Sequence, residues 1–329
     1  MKPRVYLTRR LPDAVMERLA AQTDLAFHDG AAPVAPEELH AALKDREALI
    51  PTVSDRIDAA VLAHAPVLRV IANFGVGYNN IDVAAATKRG IQVTNTPDVL
   101  TAATADVAFG LLLATARRFG EGERMVREGR WHGWDPLQLL GADIAGATLG
   151  LIGFGRIGQA VAHRARAFDM RVLYWNRTRL EPGIELELGV DYRERDELLA
   201  ESDFVSLHVA YTPETHHLID ASALARMKPS AILVNTARGS IVDEAALVEA
   251  LKSGRISAAG LDVFEREPHI HAGLYPLSNC VLLPHLGSAT IGTRTRMGML
   301  ALDNLLAACA GKRPPNLVNP DALAAAPHR

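Results

Sequence analysis

The chain has 329 residues, 49% of them hydrophobic and 22% charged, and its formal net charge is −3 at pH 7. This length exceeds one ordinary hydrophobic core and predicts two domains of a globular protein. The charge balance shows no basic stripe of the kind that binds nucleic acids or anionic membranes, so we expect neither as a partner.

Two cysteines, Cys280 and Cys309, are too few for a disulfide framework and indicate a reducing compartment. The N-terminal apolar run Val5–Leu7 is too short for a signal peptide and suits a first strand. The most apolar segment, Ala108–Ala116, is far shorter than the ~20 residues that a membrane span requires. We therefore expect a cytoplasmic protein.

Strands and amphipathic helices alternate along the chain, which predicts parallel sheets covered by helices on both faces. Two helices are indicated early, at 12–21 and 36–45, where apolar residues recur at helical spacing. Around them lie four short runs with strand character: Arg4–Thr8, Ala48–Thr52, Leu68–Asn73 and Gln92–Asn95. The first hundred residues therefore predict a small α/β unit.

Turn residues at Thr94–Asp98 interrupt this alternation, and the apolar segment Thr101–Phe119 predicts one long helix. The chain after Thr290 predicts another helix, which could return to the first unit. Between them, a second alternation begins at Ala147. It contains six predicted strands of one dinucleotide-binding sheet: Thr148–Ile152, Arg171–Trp175, Phe204–His208, Ala231–Asn235, Ala258–Leu261 and Val281–Pro284.

A G-x-G-x-x-G motif follows the first of these six strands and opens a predicted helix over Gln159–Phe168. The motif alone is weak evidence, but the strand–loop–helix context is the one that it requires. Its glycines allow a tight turn and the close approach of a pyrophosphate, and the helix N-terminus supplies unpaired N–H groups. The predicted cofactor-binding residues of this loop are Gly153, Phe154, Gly155, Arg156, Ile157 and Gly158.

The turn after the next strand indicates which dinucleotide binds. An NAD-specific site would place an Asp or Glu here, to accept a hydrogen bond from the ribose 2′-hydroxyl. This chain has Asn176, Arg177, Thr178 and Arg179 instead. A guanidinium grips a 2′-phosphate, whereas a carboxylate repels it. We therefore expect a preference for NADP(H) through Arg177, with Arg179 as a helper and Asn176 and Thr178 as hydrogen-bonding neighbours.

These residues and the blocks that follow resemble the D-2-hydroxyacid dehydrogenase family, particularly its glyoxylate/hydroxypyruvate reductase branch. The resemblance covers nearly the whole chain. It rests on the glycine loop and on three later blocks: L-L-A-E-S-D-F-V-S-L-H-V-A-Y-T-P-E-T at Leu198–Thr215, the long block Met227–Glu267, and L-L-P-H-L-G-S at Leu282–Ser288. Ordered blocks of this length are far more specific than any single motif.

The resemblance implies an α/β enzyme of two Rossmann-like, doubly wound domains with a cleft between them, and usually a homodimer. Residues 1–98 and 287–329 would form the substrate-binding domain, and residues 99–286 the dinucleotide-binding domain. The implied reaction is reduction of a small 2-keto acid, glyoxylate or hydroxypyruvate first, to the D-2-hydroxy acid. NADP(H) is the expected cofactor, and use of NAD(H) stays open.

The resemblance transfers catalytic roles to Arg238, Glu267 and His285, each of which follows an apolar predicted strand. His285 would give a proton to the carbonyl oxygen, since an imidazole with a usual pKa of about 6.5 suits this task. Glu267 would bind the other ring nitrogen and fix its tautomer. Arg238 would bind the substrate carboxylate and keto oxygens and stabilise the developing alkoxide.

Further contacts are implied by the same resemblance. Thr236 and Ala237 would pass alongside the cofactor, and Asp262 would contact its nicotinamide end. The amides of Val76 and Gly77, in a glycine-containing turn after a predicted strand, would anchor the substrate carboxylate. Trp134 matches a tryptophan that reaches the neighbouring subunit's active site, although dimer packing alone would also explain an indole in this polar stretch.

The sequence gives no cluster of His, Cys or carboxylates with ligand spacing, so we expect no metal. Three alternatives stay open. The substrate could be a bulkier 2-keto acid, or one of the phosphoglycerate type. The protein could also be a dinucleotide-sensing binding protein, because such proteins can retain the same triad and the fold alone does not establish function.

Overall fold

The computed structural model describes residues 2–30 and 32–325. The chain divides into two compact units, one formed by the residues up to Leu100 together with those from Ala289 onward, the other by Thr101–Ser288. The C-terminal segment thus returns to the first unit. In the described part of the chain, no helix combines the length and the apolar character needed to cross a membrane.

Unit 1 contains a parallel five-stranded sheet. Its strands are β1 (Arg4–Leu7), β2 (Asp24–Phe27), β3 (Ala48–Ile50), β4 (Val70–Ala72) and β5 (Gln92–Thr94). They lie in the order β2-β1-β3-β4-β5. Its helices are α1 (Asp13–Gln22), α2 (Pro36–Ala42), α3 (Ala59–Ala63), α4 (Val83–Lys88) and, from the C-terminal segment, α12 (Ile291–Cys309) and α13 (Ala322–Ala325). The sequence predicted four of these strands and missed the edge strand β2.

Alternation along the strands of unit 1 produces two apolar cores. Val5 and Leu7 point to one face of the sheet and pack in the cluster that includes Leu302 of α12. Tyr6, between them, belongs to the opposite cluster with Leu39 of α2. Because successive side chains of a strand face opposite sides, a buried parallel sheet needs helices on both faces. The returning helix α12 covers one of these faces.

Unit 2 contains a parallel seven-stranded sheet. Its strands are β6 (Thr148–Ile152), β7 (Arg171–Trp175), β8 (Asp191–Tyr192), β9 (Phe204–Leu207), β10 (Ile232–Asn235), β11 (Ala258–Leu261) and β12 (Cys280–Leu282). They lie in the order β12-β11-β10-β9-β6-β7-β8. Its helices are α5 (Thr101–Ala116), α6 (Phe119–Arg127), α7 (Arg156–Ala167), α8 (Pro182–Leu188), α9 (Arg195–Glu201), α10 (Ala221–Arg226) and α11 (Glu244–Lys252). The predicted α/β fold of two doubly wound sheets is confirmed.

The chain reverses its direction of travel across this sheet between β6 and β9. From β6 it proceeds outward through β7 and β8, and from β9 it proceeds the opposite way to β12. In open α/β sheets, ligands bind beyond the carboxyl ends of the strands at such a switch point. The glycine loop follows β6 and therefore lies at this position.

The prediction of one long helix over Thr101–Phe119 was wrong at its C-terminal end. Helix α5 ends at Ala116, and a new helix begins at Phe119. Between them, Arg118 has a left-handed backbone with φ of 53°. Its guanidinium donates two hydrogen bonds to Glu121, with lengths of 2.7 and 2.8 Å. This local pair supports a conformation that cannot continue a right-handed helix.

Candidate active site

A histidine–carboxylate pair lies beyond the carboxyl ends of two neighbouring strands of unit 2. Nδ1 of His285, which follows β12, is 2.8 Å from Oε2 of Glu267, which follows β11. Oε1 of Glu267 accepts a hydrogen bond of 3.0 Å from the amide of Phe264. Because the backbone holds one carboxylate oxygen and the imidazole binds the other, Nε2 is the ring nitrogen available to a substrate.

The turn that carries His285 is held by a buried carboxylate. His285 has a φ of 55°, in the left-handed region that residues with a Cβ seldom adopt. Asp262 is fully buried. It accepts hydrogen bonds from the amide of Leu286 at 2.6 Å and from that of Gly287 at 2.8 Å. Its carbonyl accepts the amide of His285 at 2.9 Å. This bracing role of Asp262 was not predicted from the sequence.

The charges of the site follow from burial and from mutual contact. Burial alone would raise the pKa of Glu267, but the hydrogen bond and charge of His285 outweigh it, so this pKa lies below its usual value. Burial raises the pKa of Asp262, against the hydrogen bonds from Leu286 and Gly287. The carboxylate of Glu267 is ionised at neutral pH, since its pKa is lowered, and its negative charge faces the imidazole of His285.

Arg238 lies in the loop after β10, and burial lowers the pKa of its guanidinium, an effect that Glu267 opposes. The amide of Asn235 donates to the carbonyl of Arg238 at 2.9 Å, and a guanidinium nitrogen donates to the carbonyl of Ala237 at 2.6 Å. A guanidinium remains protonated in proteins, so burial leaves a positive charge that is poorly hydrated. Such a cation favours an anionic ligand.

The loop of Arg238 and the loop of Glu267 touch through their backbones. A Cβ on Gly239 would collide with the carbonyl group of Phe264 and with the backbone nitrogen of Glu265. Only glycine fits this close approach, which brings Arg238 within electrostatic reach of Glu267. The three predicted catalytic residues therefore share one region of unit 2.

The glycine loop has the features of a pyrophosphate site. Gly153 has a φ of 94°, and a Cβ there would lie 2.6 Å from the backbone of His208. A Cβ on Gly158 would meet the carbonyl of Gly153, whereas one on Gly155 would meet nothing within 4 Å. No side chain caps the N-terminus of α7. The first-turn N–H groups, at Arg156 and Ile157, thus border space that an anion could fill.

The turn after β7 separates the two predicted phosphate-binding arginines. Arg179 donates two hydrogen bonds of 2.8 Å to the carboxylate of Glu185, which also accepts the hydroxyl of Tyr174 at 2.6 Å. These bonds to Arg179 and Tyr174 lower the pKa of Glu185 to about 2. Arg179 is thus committed to the protein, and its expected role as a phosphate helper is withdrawn.

Arg177, by contrast, is exposed. Within the described residues, its side chain makes no hydrogen bond or ion pair, and its charge contributes to the low pKa of Glu214. Asn176 joins this turn to the glycine loop. Its side chain accepts the amide of Phe154 at 3.5 Å and donates to the carbonyl of Thr178 at 3.0 Å. Arg177 is therefore the cation of this turn that is available to a ligand.

Residues after β10 and β9 lie at the same edge of the sheet as the glycine loop. Within the described residues, the hydroxyl of Thr236 is buried without a hydrogen-bond partner, which fits a contact with a bound cofactor. The amide of Ala237 is tied to the side chain of Asn235 at 3.0 Å. Sequence reasoning assigned no role to His208, whose backbone lies against the glycine loop. Burial lowers its pKa to about 4, so it is neutral at pH 7.

Three residues distant in sequence lie close enough to hold a metal ion. The ligand atoms of His217, Asp243 and Glu265 all lie within 4.8 Å of one another. Nε2 of His217 is 2.7 Å from Glu265, and Asp243 caps α11 by accepting the amide of Ala246 at 3.0 Å. Because these protein contacts already explain the arrangement, we assign no metal to it.

The predicted anion loop of unit 1 follows β4. In the part of the chain that the structure describes, the N–H groups of Val76 and Gly77 have no acceptor. Gly75 precedes them between two side chains, and a Cβ there would lie 2.7 Å from Val53 and 3.3 Å from Asn73. The predicted Trp134, in unit 2, is 83% exposed.

Comparisons with known proteins decide the family. The model of the D-isomer specific 2-hydroxyacid dehydrogenase NAD binding domain matches residues 109–287. The chain belongs to the D-isomer specific 2-hydroxyacid dehydrogenase family. The resemblance stated from the sequence is confirmed, and the cofactor of this family member is a nicotinamide dinucleotide.

Similar relatives extend over nearly the whole chain. The glyoxylate reductase of Thermococcus onnurineus is 50% identical over 327 residues, which cover 98% of each chain. A solved structure of a Thermus thermophilus protein is 50% identical with a TM-score of 0.89, over 96% of this chain and 99% of its own. The NADPH-dependent glyoxylate/hydroxypyruvate reductase of Sinorhizobium meliloti, in complex with NADP and malonate, is 37% identical with a TM-score of 0.87, over 98% of both chains.

The contact at Gly239 gives a first prediction. The Gly239→Ala variant should lose about 100-fold in kcat for 2-keto acid reduction, because a shift of about 1 Å between the loops of Arg238 and Glu267 misaligns the reacting groups. Steady-state NADPH oxidation measures this. Gly110→Ala is the matched control, since a Cβ there meets nothing within 4 Å. A Gly239→Ala enzyme with wild-type kcat would contradict the close approach.

Proposed function

We propose that this protein reduces a small 2-keto acid, glyoxylate or hydroxypyruvate, to the D-2-hydroxy acid. The observation that carries the proposal is the 2.8 Å contact between His285 and Glu267, beside the partly buried cation of Arg238. These residues follow strands of the same parallel sheet that carries the dinucleotide loop. The similarity to glyoxylate reductases over nearly the full chain supports the size of the substrate.

The side chains and backbone amides of the site have separate roles in the proposed mechanism. The glycine loop at Gly153–Gly158 would hold a nicotinamide dinucleotide, which would supply the hydride that the keto carbon receives. Arg238 binds the carboxylate and keto oxygens and stabilises negative charge as it develops on the keto oxygen. Nε2 of His285 donates its proton to that oxygen. Glu267 holds Nδ1 and stabilises the imidazolium before transfer. The amides of Val76 and Gly77 bind the substrate carboxylate.

Variants of the catalytic residues test this proposal. His285→Ala should lower kcat for glyoxylate reduction by about 100- to 10,000-fold, because it removes the proton donor. Arg238→Ala should lower kcat/KM by about 100-fold or more, because it removes the cation that stabilises the alkoxide. NADPH binding, followed by fluorescence titration, should stay near the wild-type affinity in both variants. Near-normal turnover in either one would refute its assigned role.

We further propose that NADP(H) is preferred through Arg177. The exposed guanidinium, without a hydrogen bond or ion pair to the described residues, supports this assignment. The carboxylate that would repel a 2′-phosphate is replaced by Asn176. Thr178 and Asn176 supply polar groups to the same turn. Since Arg179 is held by Glu185, a single guanidinium carries the preference, and some turnover with NADH is expected.

Replacing Arg177 should separate the two cofactors. Arg177→Ala should raise the KM for NADPH by about 10- to 100-fold, because a charge-assisted contact to the phosphate is lost. The KM for NADH should stay unchanged. Arg195→Ala, in the same unit, controls for loss of a surface charge. Equal effects of Arg177→Ala on both cofactors, or equal wild-type efficiency with both, would exclude the assignment.

We also propose a cytoplasmic homodimer in which the partner subunit's Trp134 approaches the substrate. A series of exposed apolar side chains supports a protein interface at 119–140 in unit 2: Phe119, Val126, Trp131, Trp134, Leu137 and Leu140. Analytical ultracentrifugation tests the assembly directly. A mass of one chain at micromolar concentration would contradict the dimer and, with it, the role of Trp134.

A further inference from the structure

In the loop after β4, two asparagine side chains donate hydrogen bonds to the backbone carbonyl groups of residues 75–77. The side-chain amide of Asn73 donates to the carbonyl of Gly75 at 3.3 Å and to that of Gly77 at 2.9 Å. The side-chain amide of Asn95 donates to the carbonyl of Val76 at 2.9 Å. Three successive carbonyl groups are therefore all engaged by the protein.

The bound carbonyls determine where the N–H groups point. In a trans peptide, the C=O of one residue and the N–H of the next lie in one plane and point in opposite directions. Holding the carbonyls of Gly75, Val76 and Gly77 toward the two asparagines therefore directs the N–H groups of residues 76–78 away from them. In the described part of the chain, none of these three N–H groups has an acceptor.

The two asparagines reach the loop because they follow neighbouring parallel strands. Asn73 comes directly after β4 and Asn95 directly after β5, and these strands pair in register. The backbone of the chain after β5 contributes further, because the amide of Thr96 donates to the carbonyl of Gly75 at 3.0 Å. Asn73 is fully buried, and its side-chain oxygen accepts from Asn80 at 3.3 Å. Several hydrogen bonds therefore hold the scaffold behind the loop.

The C-terminal return of the chain supports this scaffold. Asn304 of α12 is fully buried and donates to the backbone carbonyl of Asn95 at 3.2 Å. Its side-chain oxygen accepts the amide of Asn316 at 3.0 Å. The backbone amide of Asn95 donates to the carbonyl of Asn316 at 3.3 Å. Both the backbone carbonyl and the backbone amide of Asn95, which binds Val76, are therefore hydrogen-bonded to the C-terminal segment.

We infer that Asn73 and Asn95 are positioning residues that orient the amides of Val76, Gly77 and Tyr78 as a three-donor site for a carboxylate, braced by Asn304. The inference rests on the proposed function for the identity of the anion. It adds Tyr78 as a third donor. It also assigns a substrate-binding purpose to the return of the C-terminal segment, beyond covering the sheet.

The test compares Asn95→Ala with Asn319→Ala. Asn319 is a buried asparagine of the same unit, and its side chain accepts the amide of Val93 at 2.7 Å and donates to the carbonyl of Ile91 at 2.9 Å. Its removal costs at least as many hydrogen bonds as removal of Asn95, but it touches no carbonyl of the loop. General destabilisation should therefore appear in both variants, and loss of anion binding only in Asn95→Ala.

Asn95→Ala should raise the KM for glyoxylate about 10-fold, because it weakens one charge-assisted hydrogen bond between the loop amides and the substrate carboxylate. The kcat and the KM for NADPH should stay close to wild type, since the variant disturbs neither the proton donor nor the cofactor. Asn319→Ala should leave the KM for glyoxylate unchanged while lowering Tm. If Asn95→Ala does not fold, Asn95→Ser is the milder variant, and its hydroxyl is too short to replace the contact with Val76.

Equilibrium binding of oxalate to the NADP⁺-saturated protein, measured by calorimetry, separates this inference from the proposed function. A roughly 10-fold weaker Kd for oxalate in Asn95→Ala alone supports the inference, even if the wild-type protein reduces no keto acid and the proposed function fails. Wild-type Kd and KM in Asn95→Ala would overturn the inference while leaving the proposed function intact. Equal losses in both asparagine variants, or no oxalate binding by the wild type, would also overturn it.

Discussion

The buried carboxylate of Asp262 accepts the amides of Leu286 and Gly287, and the residue before them, His285, has a left-handed backbone. A turn of this kind is unfavourable for a residue with a Cβ unless the surroundings enforce it. Here the enforcing group lies at the end of β11, so the sheet itself fixes the direction of the imidazole. Glu267, after the same strand, then holds the ring by Nδ1.

This arrangement is the basis of the role that we propose for each residue. Glu267 has a low pKa because His285 outweighs its burial, and Arg238 keeps a poorly hydrated positive charge nearby. We propose that His285 is the proton donor, Glu267 its stabilising carboxylate and Arg238 the cation, a combination that suits an anionic substrate that gains negative charge on oxygen. The dinucleotide loop lies at the switch point of the same sheet. The catalytic residues and the dinucleotide loop together fit a reductase of 2-keto acids, whereas neither feature alone would identify one.

Much of this could be predicted from the sequence, because the information is local in the chain. The glycine loop lies between a β-strand and a helix, and Arg238, Glu267 and His285 each follow an apolar run that forms a strand. Parallel strands end at one edge of a sheet, so residues distant in sequence were expected to lie together. The edge strand β8 was missed because it has only two residues, and the edge strand β2 because its sequence, Asp-Leu-Ala-Phe, does not alternate between polar and apolar residues.

Other features depend on partners that sequence spacing does not reveal. The bracing of His285 by Asp262 requires the register between β11 and β12. Arg179 does not serve a phosphate because it donates two hydrogen bonds to Glu185, a residue of the next helix. The asparagines behind the loop of Val76 are distant in sequence: Asn73 and Asn95 each follow a strand, and Asn304 lies in α12. Each of these contacts is polar and at least partly buried. The periodicity of apolar residues does not predict such contacts.

The most direct test of the central claim is the product formed from hydroxypyruvate. Purified protein would be incubated with NADPH and hydroxypyruvate, and the glycerate formed would be resolved by chiral chromatography against the NADPH consumed. We predict one D-glycerate for each NADPH oxidised, with no activity when the cofactor is omitted. Formation of L-glycerate, or tight binding of the dinucleotide without turnover of any 2-keto acid, would contradict it.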